Sequence, residues 1–195
     1  MSRIHFLGNC HARIKTCAII CSCREPKTST AASLREEIYM KTLCLYYTRT
    51  NLTKEIMENI AKIIGADVAE YTDGKDRGGF LGYVGACFAT VNNTISKVSI
   101  KGEVDLTSYD RVLIGMPVWA EGPCAIGKAL IKKYRDSLPR DVYYVVTHMG
   151  DKHDYTAKIK AMDKLLGRPS AGQVSIRTKE NDYIKKSADF AETLV

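Results

Sequence analysis

No stretch of the 195-residue chain comes near the roughly 18 consecutive apolar residues that mark a membrane-spanning helix. Internal repeats and low-complexity tracts are also missing, so a solenoid, a propeller or a collagen-like fibre is excluded. The nucleotide-hydrolysing pattern G-x-x-x-x-G-K-[ST] does not occur, and neither does the dinucleotide fingerprint G-x-G-x-x-G. His148 and His153 lack the H-E-x-x-H spacing of a helical zinc site, and no paired carboxylates or Ser-His-Asp pattern stand in a persuasive context. What is present is ordinary globular material. Hydrophobic residues make up 45% and charged residues 26%, which argues against a disordered chain. The length suits one domain, or one domain with an appendage. The formal charge of +7 is moderate; it favours anionic ligands or partners without pointing to nucleic acid.

The seven cysteines are scattered and odd in number, a poor basis for a disulfide framework and a sign of a reducing, cytoplasmic setting. Cys10, Cys17, Cys21 and Cys23 crowd the start, but their C-x6-C-x3-C-x-C spacing lacks the paired C-x2-C knuckles of zinc sites. Residues 1–39 show no sustained period and carry no acid before Glu25, a composition that resembles a transit peptide. Met40 could equally begin the folded unit. The expectation is a disordered or loosely attached extension over 1–39 and a folded domain over 40–195.

From Lys41 onward, short apolar runs alternate with helical patterns. Leu43–Tyr47 reads as a strand buried on both faces. Ile56, Ile60, Ile63 and Ile64 mark one face of a helix that Gly65 stops. Asp67–Tyr71 is a weaker strand, followed by a turn at Asp73-Gly74 and a helix from Phe80 to Val91. Residues 92–109 read as mostly irregular. Arg111–Gly115, Val142–Val146 and Gln173–Arg177 are further strands. Helices follow each of them, on Ile126, Ala129, Leu130 and Tyr134, on Ile159, Met162, Leu165 and Leu166, and on Ile184, Ala188, Ala191 and Val195. Strict alternation predicts an α/β, doubly wound, three-layer fold with a five-stranded parallel sheet and right-handed crossovers.

In such a sheet, ligands bind beyond the carboxyl ends of the strands. Three loops lie there. Thr48-Arg49-Thr50-Asn51-Leu52-Thr53 places three hydroxyls between a strand and a helix start, where free backbone N–H groups attract an anion. Simple capping of that helix by Thr50 and Thr53 is the competing explanation. Met116-Pro117-Val118-Trp119-Ala120-Glu121 holds the sole tryptophan, whose indole offers a flat face to a planar ring, or else packs into the core. Thr147-His148-Met149-Gly150-Asp151 is the third loop; His148 can donate to a ligand carbonyl or cap the loop. Cys124 precedes a helix, which leaves two readings, a thiol of lowered pKa or a passive buried one.

With the hydroxyl loop and Trp119 both at strand ends, residues 40–195 resemble the flavodoxin family. Leu45-Tyr46-Tyr47-Thr48-Arg49-Thr50-Asn51-Leu52-Thr53 is similar to its first strand and T/S-x-T-G-x-T phosphate loop, with Asn51 in place of the glycine. Tyr109 through Trp119 looks like its third strand and first ring-binding loop, and Phe80-Leu81-Gly82-Tyr83 resembles a segment of a short-chain branch. The resemblance implies bound FMN, a sheet order of 2-1-3-4-5 and electron transfer. By position, Thr48, Arg49, Thr50, Asn51, Leu52 and Thr53 would hold the phosphate. Pro117, Val118, Trp119 and Ala120 would border one side of the flavin ring, and Thr147, His148, Met149 and Gly150 the other. Many flavodoxins are acidic; this chain is basic, which steers it toward acidic redox partners.

Three functions are therefore in play. The first is an FMN electron carrier, in which no side chain need act as an acid or base. The second is an NAD(P)H-dependent quinone or flavin reductase on the same fold, with a substrate site near Phe80, Tyr83 and His148. The third is a non-catalytic binding module, since fold alone assigns no function.

Overall fold

The computed structural model describes residues 40–75, 77–92, 97–150 and 155–195. The N-terminal extension, its four cysteines, Asp151 and His153 lie outside the described residues.

Strands β1 (Thr42–Tyr46), β2 (Asp67–Thr72), β4 (Arg111–Trp119), β6 (Asp141–His148) and β7 (Gly172–Arg177) run parallel. The sheet order is β3 (Ser99–Ile100), β2, β1, β4, β6, β7, so the five long strands, numbered by appearance, lie 2-1-3-4-5. Two short strands bring the total among the described residues to seven rather than the expected five. β3 pairs antiparallel with the edge of β2, and β5 (Gly122–Pro123) folds back on the end of β4. β3 and a 3₁₀ turn at Leu106–Ser108 give structure to a region that lacks periodicity in the sequence.

The pleat sends alternate residues of each strand to opposite faces. Leu43, Leu45, Val112, Ile114, Val142 and Tyr144 face one core, closed by α3 (Ala125–Tyr134), α4 (Thr156–Lys160) and α5 (Asp163–Leu166). Cys44, Tyr46, Leu113, Val145 and Ile176 face the other, closed by α1 (Leu52–Ile64) and α6 (Tyr183–Glu192). Continuous apolar runs such as Leu43–Tyr46 are required because both faces are covered. The seam between α1 and the sheet is tight: a Cβ on Gly115 would stand 2.5 Å from Met57 Cγ and 2.6 Å from its sulfur.

The helix expected across residues 159–166 is two short ones. Hydrogen bonds from Met162 N to Ile159 O (2.9 Å) and from Leu165 N to Met162 O (2.8 Å) tighten the chain into 3₁₀ geometry between them. Gly167, at φ 79°, ends α5, and Gly65, at φ 66°, ends α1, both in the left-handed conformation that favours glycine. The remaining helix, α2 (Gly79–Val91), buries just Ala86 and Thr90. No helix among the described residues is long and apolar enough to cross a membrane.

Candidate functional site

The carboxyl ends of β1, β4 and β6 converge on a cleft of about 200 Å³. Arg49, Thr50, Leu52 and Thr53 line it from the first connection, Pro117, Val118, Trp119, Ala120 and Glu121 from the second, and Thr147, His148, Met149 and Gly150 from the third. Twelve of the fourteen residues singled out in the sequence thus face one space. Thr48 and Asn51 do not line it. Tyr83, Tyr155 and Thr178 complete the wall.

The first connection ends in a helix start that no side chain caps. Asn51 sits at the N-cap of α1 with φ 66° and ψ −7°, the left-handed backbone usually reserved for glycine. That explains how asparagine replaces glycine in the loop: its short polar side chain tolerates this conformation. No side chain caps the helix, so the capping role considered for Thr50 and Thr53 is not taken up. The first-turn N–H groups have no intrahelical carbonyl to bond and carry the positive end of the helix dipole. Thr48 Oγ1 is buried and has no hydrogen-bond partner among the described residues. Burying a hydroxyl without a partner costs about 1–3 kcal/mol, which a ligand oxygen would recover. Thr53 Oγ1 lies 2.8 Å from Thr147 Oγ1, tying the first connection to the third. If Thr147 donates in that bond, the Thr53 proton is left for a ligand.

Asn51→Val is expected to destabilise the protein by roughly 1–2 kcal/mol, because a β-branched side chain clashes in the left-handed region. Asn51→Gly should match or slightly exceed the parent. Thermal melts of both check this; a valine variant as stable as the parent would show that position 51 adopts another backbone.

The second connection differs from the expected loop. β4 continues through Met116-Pro117-Val118-Trp119 and turns sharply at Ala120 (φ 46°) and Glu121 (φ 61°) into β5. Two consecutive positive-φ residues without glycine store strain, as active-site turns often do. Lys158 Nζ braces the turn, donating to Glu121 O at 2.5 Å and lying 3.6 Å from the Glu121 carboxylate. Trp119 is not an open stacking plate. It is 3% exposed, meets Tyr47 edge-on at 5.5 Å, and has the Arg77 guanidinium 5.9 Å from its ring. Its contribution to the cleft is a fixed indole edge held by the core.

The third connection is shorter than expected, since Thr147 and His148 belong to β6. His148 O accepts from Thr178 N at 2.8 Å, and the His148 ring packs on Tyr155 at 4.8 Å. Met149, 57% exposed, forms the outer lip.

Tyr83 stands across the mouth, with the Arg49 guanidinium 5.1 Å from its ring. Its phenol pKa is raised, first by the side-chain hydrogen bond with Cys87 and then by burial. Phe80, expected beside Tyr83 at a substrate site, points away: it does not line the cleft and is 78% exposed. Burial pushes Cys124 up to about 12, so it is a passive thiol and not an activated one. Tyr155 and Thr178 had no sequence signal. Among the described residues no three His, Cys, Asp or Glu side chains gather closely enough to hold a metal ion.

No family model matches the chain, and no curated protein matches it. Solved structures do. A flavoprotein from Lactobacillus acidophilus NCFM in complex with FMN is 22% identical with a TM-score of 0.58; the match covers 76% of this chain and 99% of that one. The apo-form of the flavoprotein from the same organism gives 20% identity and a TM-score of 0.52 over 73% and 96%. A protein from Bacteroides eggerthii gives 15% identity and 0.59 over 78% and 98%. At these identities the likeness shows the fold, which is flavodoxin-like.

Proposed function

We propose that this chain binds FMN at the cleft and passes electrons between redox partners, with acidic proteins favoured by its +7 charge. One observation carries the reading. A buried hydroxyl without a partner among the described residues, Thr48 Oγ1, lies four residues before the uncapped start of α1, and the neighbouring Thr50, Leu52 and Thr53 line a cleft walled by Trp119 and by Thr147–Gly150. An anion suits the uncapped helix start, and one edge of a flat apolar ring suits the space beside the Trp119 indole edge. The FMN-bound Lactobacillus flavoprotein has the same fold.

Thr48, Thr50 and the first-turn amides of α1 would hold the phosphate. The strained turn at Ala120-Glu121 and the lip at Met149 would border the ring. The bound group would supply the redox chemistry; the chain binds it, orients it and screens one edge from water. The cleft is smaller than most small-molecule sites, so part of a ring would project from it, as electron transfer to another protein needs.

Titration with FMN, followed by flavin fluorescence, tests this. One-to-one binding is expected. Thr48→Val and Thr50→Ala should each weaken FMN at least 10-fold, the usual value of a hydrogen bond to a charged group. Riboflavin, which lacks the phosphate, should bind the parent and both variants alike. No FMN binding at about 100 μM, or equal losses for riboflavin, would remove the phosphate assignment. Sustained NAD(P)H oxidation by the isolated protein would move the reading from carrier to reductase.

A further inference from the structure

Helix α2 is built inside out. Its inner stripe, Gly82, Ala86 and Thr90, spaced i, i+4 and i+8, consists of small residues. The ideal Cβ of Gly82 would lie 2.5 Å from the backbone carbon of Arg77, in the segment that leads into the helix, and Ala86 and Thr90 are buried against the fold. Thr90 Oγ1 lies 3.4 Å from Ala125 N, at the start of α3. The outer stripe carries the large side chains: Leu81 is 84% exposed, Val84 47%, Phe88 69% and Val91 71%, with Phe80 at 78% beside them. A helix apolar on all sides is normally buried on all sides, and the described residues cover only about half of this one.

We propose that α2 is the interface of a two-fold dimer, its outer stripe packing on the same stripe of a second copy. Three observations favour that occupant. The five side chains present on the order of 600 Å² of apolar surface, at the top of what a monomer leaves bare. Two such faces bury roughly 1,200 Å², the lower bound of a stable interface. The helix carries no charged residue from Gly79 to Val91, so a patch meeting its own image brings no like charges together, although the chain as a whole is basic. A lipid surface is disfavoured by the same fact, since helices that lie on membranes flank their apolar face with Lys and Arg. Gly85 also has open space where a Cβ would be, so a second backbone can come close. The interface would cover the outside of the helix that carries Tyr83 and leave the cleft on its inner side.

Sedimentation equilibrium of the full chain from 5 to 200 μM tests the proposal. A mass of twice 21.7 kDa is expected. Phe88→Glu and Leu81→Lys change residues exposed in the single chain, so both variants should keep the parent's circular dichroism while dissociating at least 100-fold more readily, and their melting temperatures should lose the rise with concentration that a dimer shows. Val195→Glu, at an exposed position outside α2, should remain dimeric. A parent monomeric at 200 μM, or a dimer indifferent to Phe88→Glu and Leu81→Lys, would overturn the proposal. So would a monomer that pellets with vesicles of phosphatidylcholine and phosphatidylglycerol and loses that binding in the same variants.

Discussion

Arg77→Ala is expected to lower the unfolding free energy by about 3–5 kcal/mol. The guanidinium lies 2.5 Å from Asp73 Oδ2, and the two side chains are 8% and 0% exposed. Lys75 N donates to the other carboxylate oxygen at 3.3 Å. Removing the arginine strands a negative charge away from water with one backbone donor for company. It also withdraws the cation from beside Trp119 and loosens the backbone on which Gly82 rests, so the start of α2 and one wall of the cleft lose support together. For a chain of this size the melting temperature should fall by roughly 10 °C. The paired replacement Asp73→Asn with Arg77→Met should cost clearly less, because neither partner is then left charged and alone. Thermal melts followed by circular dichroism separate the cases. A single variant within about 1 kcal/mol of the parent would mean that the pair is solvated in solution.

Stability should also fall steeply as the pH is raised above 9. Burial holds the Cys44 and Cys124 thiols at about 12, against 9.0 when unperturbed. Between those values the unfolded chain loses protons that the folded chain keeps. Unfolding therefore releases protons, and each unit of pH favours the unfolded state further. Below 9 both states hold the protons and the contribution is fully present. Two thiols acting together give a slope of roughly 2 kcal/mol per pH unit near pH 10–11. Tyr47, Tyr71 and Tyr144, raised by burial above 10.0, add the same sign at the upper end. Lys128, lowered by burial, opposes them weakly. Urea midpoints at pH 8, 9, 10 and 10.5 read the slope, and Cys124→Ala should reduce it by nearly half. A flat profile across that range would mean that the two thiols are reached by water.

Much of the fold is legible in the residue pattern because it depends on local periodicity. Leu43–Tyr46 is apolar without alternation, so both faces had to be covered. Ile56 and Ile60 recur at helical spacing and end at Gly65, so α1 and its stop follow. Parallel strands joined by helices then leave few topologies, and 2-1-3-4-5 for the long strands is among them. The hydroxyls of Thr48, Thr50 and Thr53 are adjacent in the chain, and a strand-to-helix junction needs no distant partner to gather them. Pro117 to Trp119 misled: the run reads as a loop because proline weakens a strand signal. Pairing with β6 on one side and β5 on the other carries the strand onward.

Composition and spacing by themselves determined the α/β class, the order of the main elements and the position of a hydroxyl-rich strand-to-helix junction, since each depends on residues a few positions apart. The tertiary structure alone decided that Asp73 and Arg77 pair out of water, that Tyr83 faces the cleft while Phe80 faces away, and that Trp119 is wedged against Tyr47. Those outcomes depend on which distant side chains compete for the same space. Close packing settles that competition, and no pattern along the chain records it.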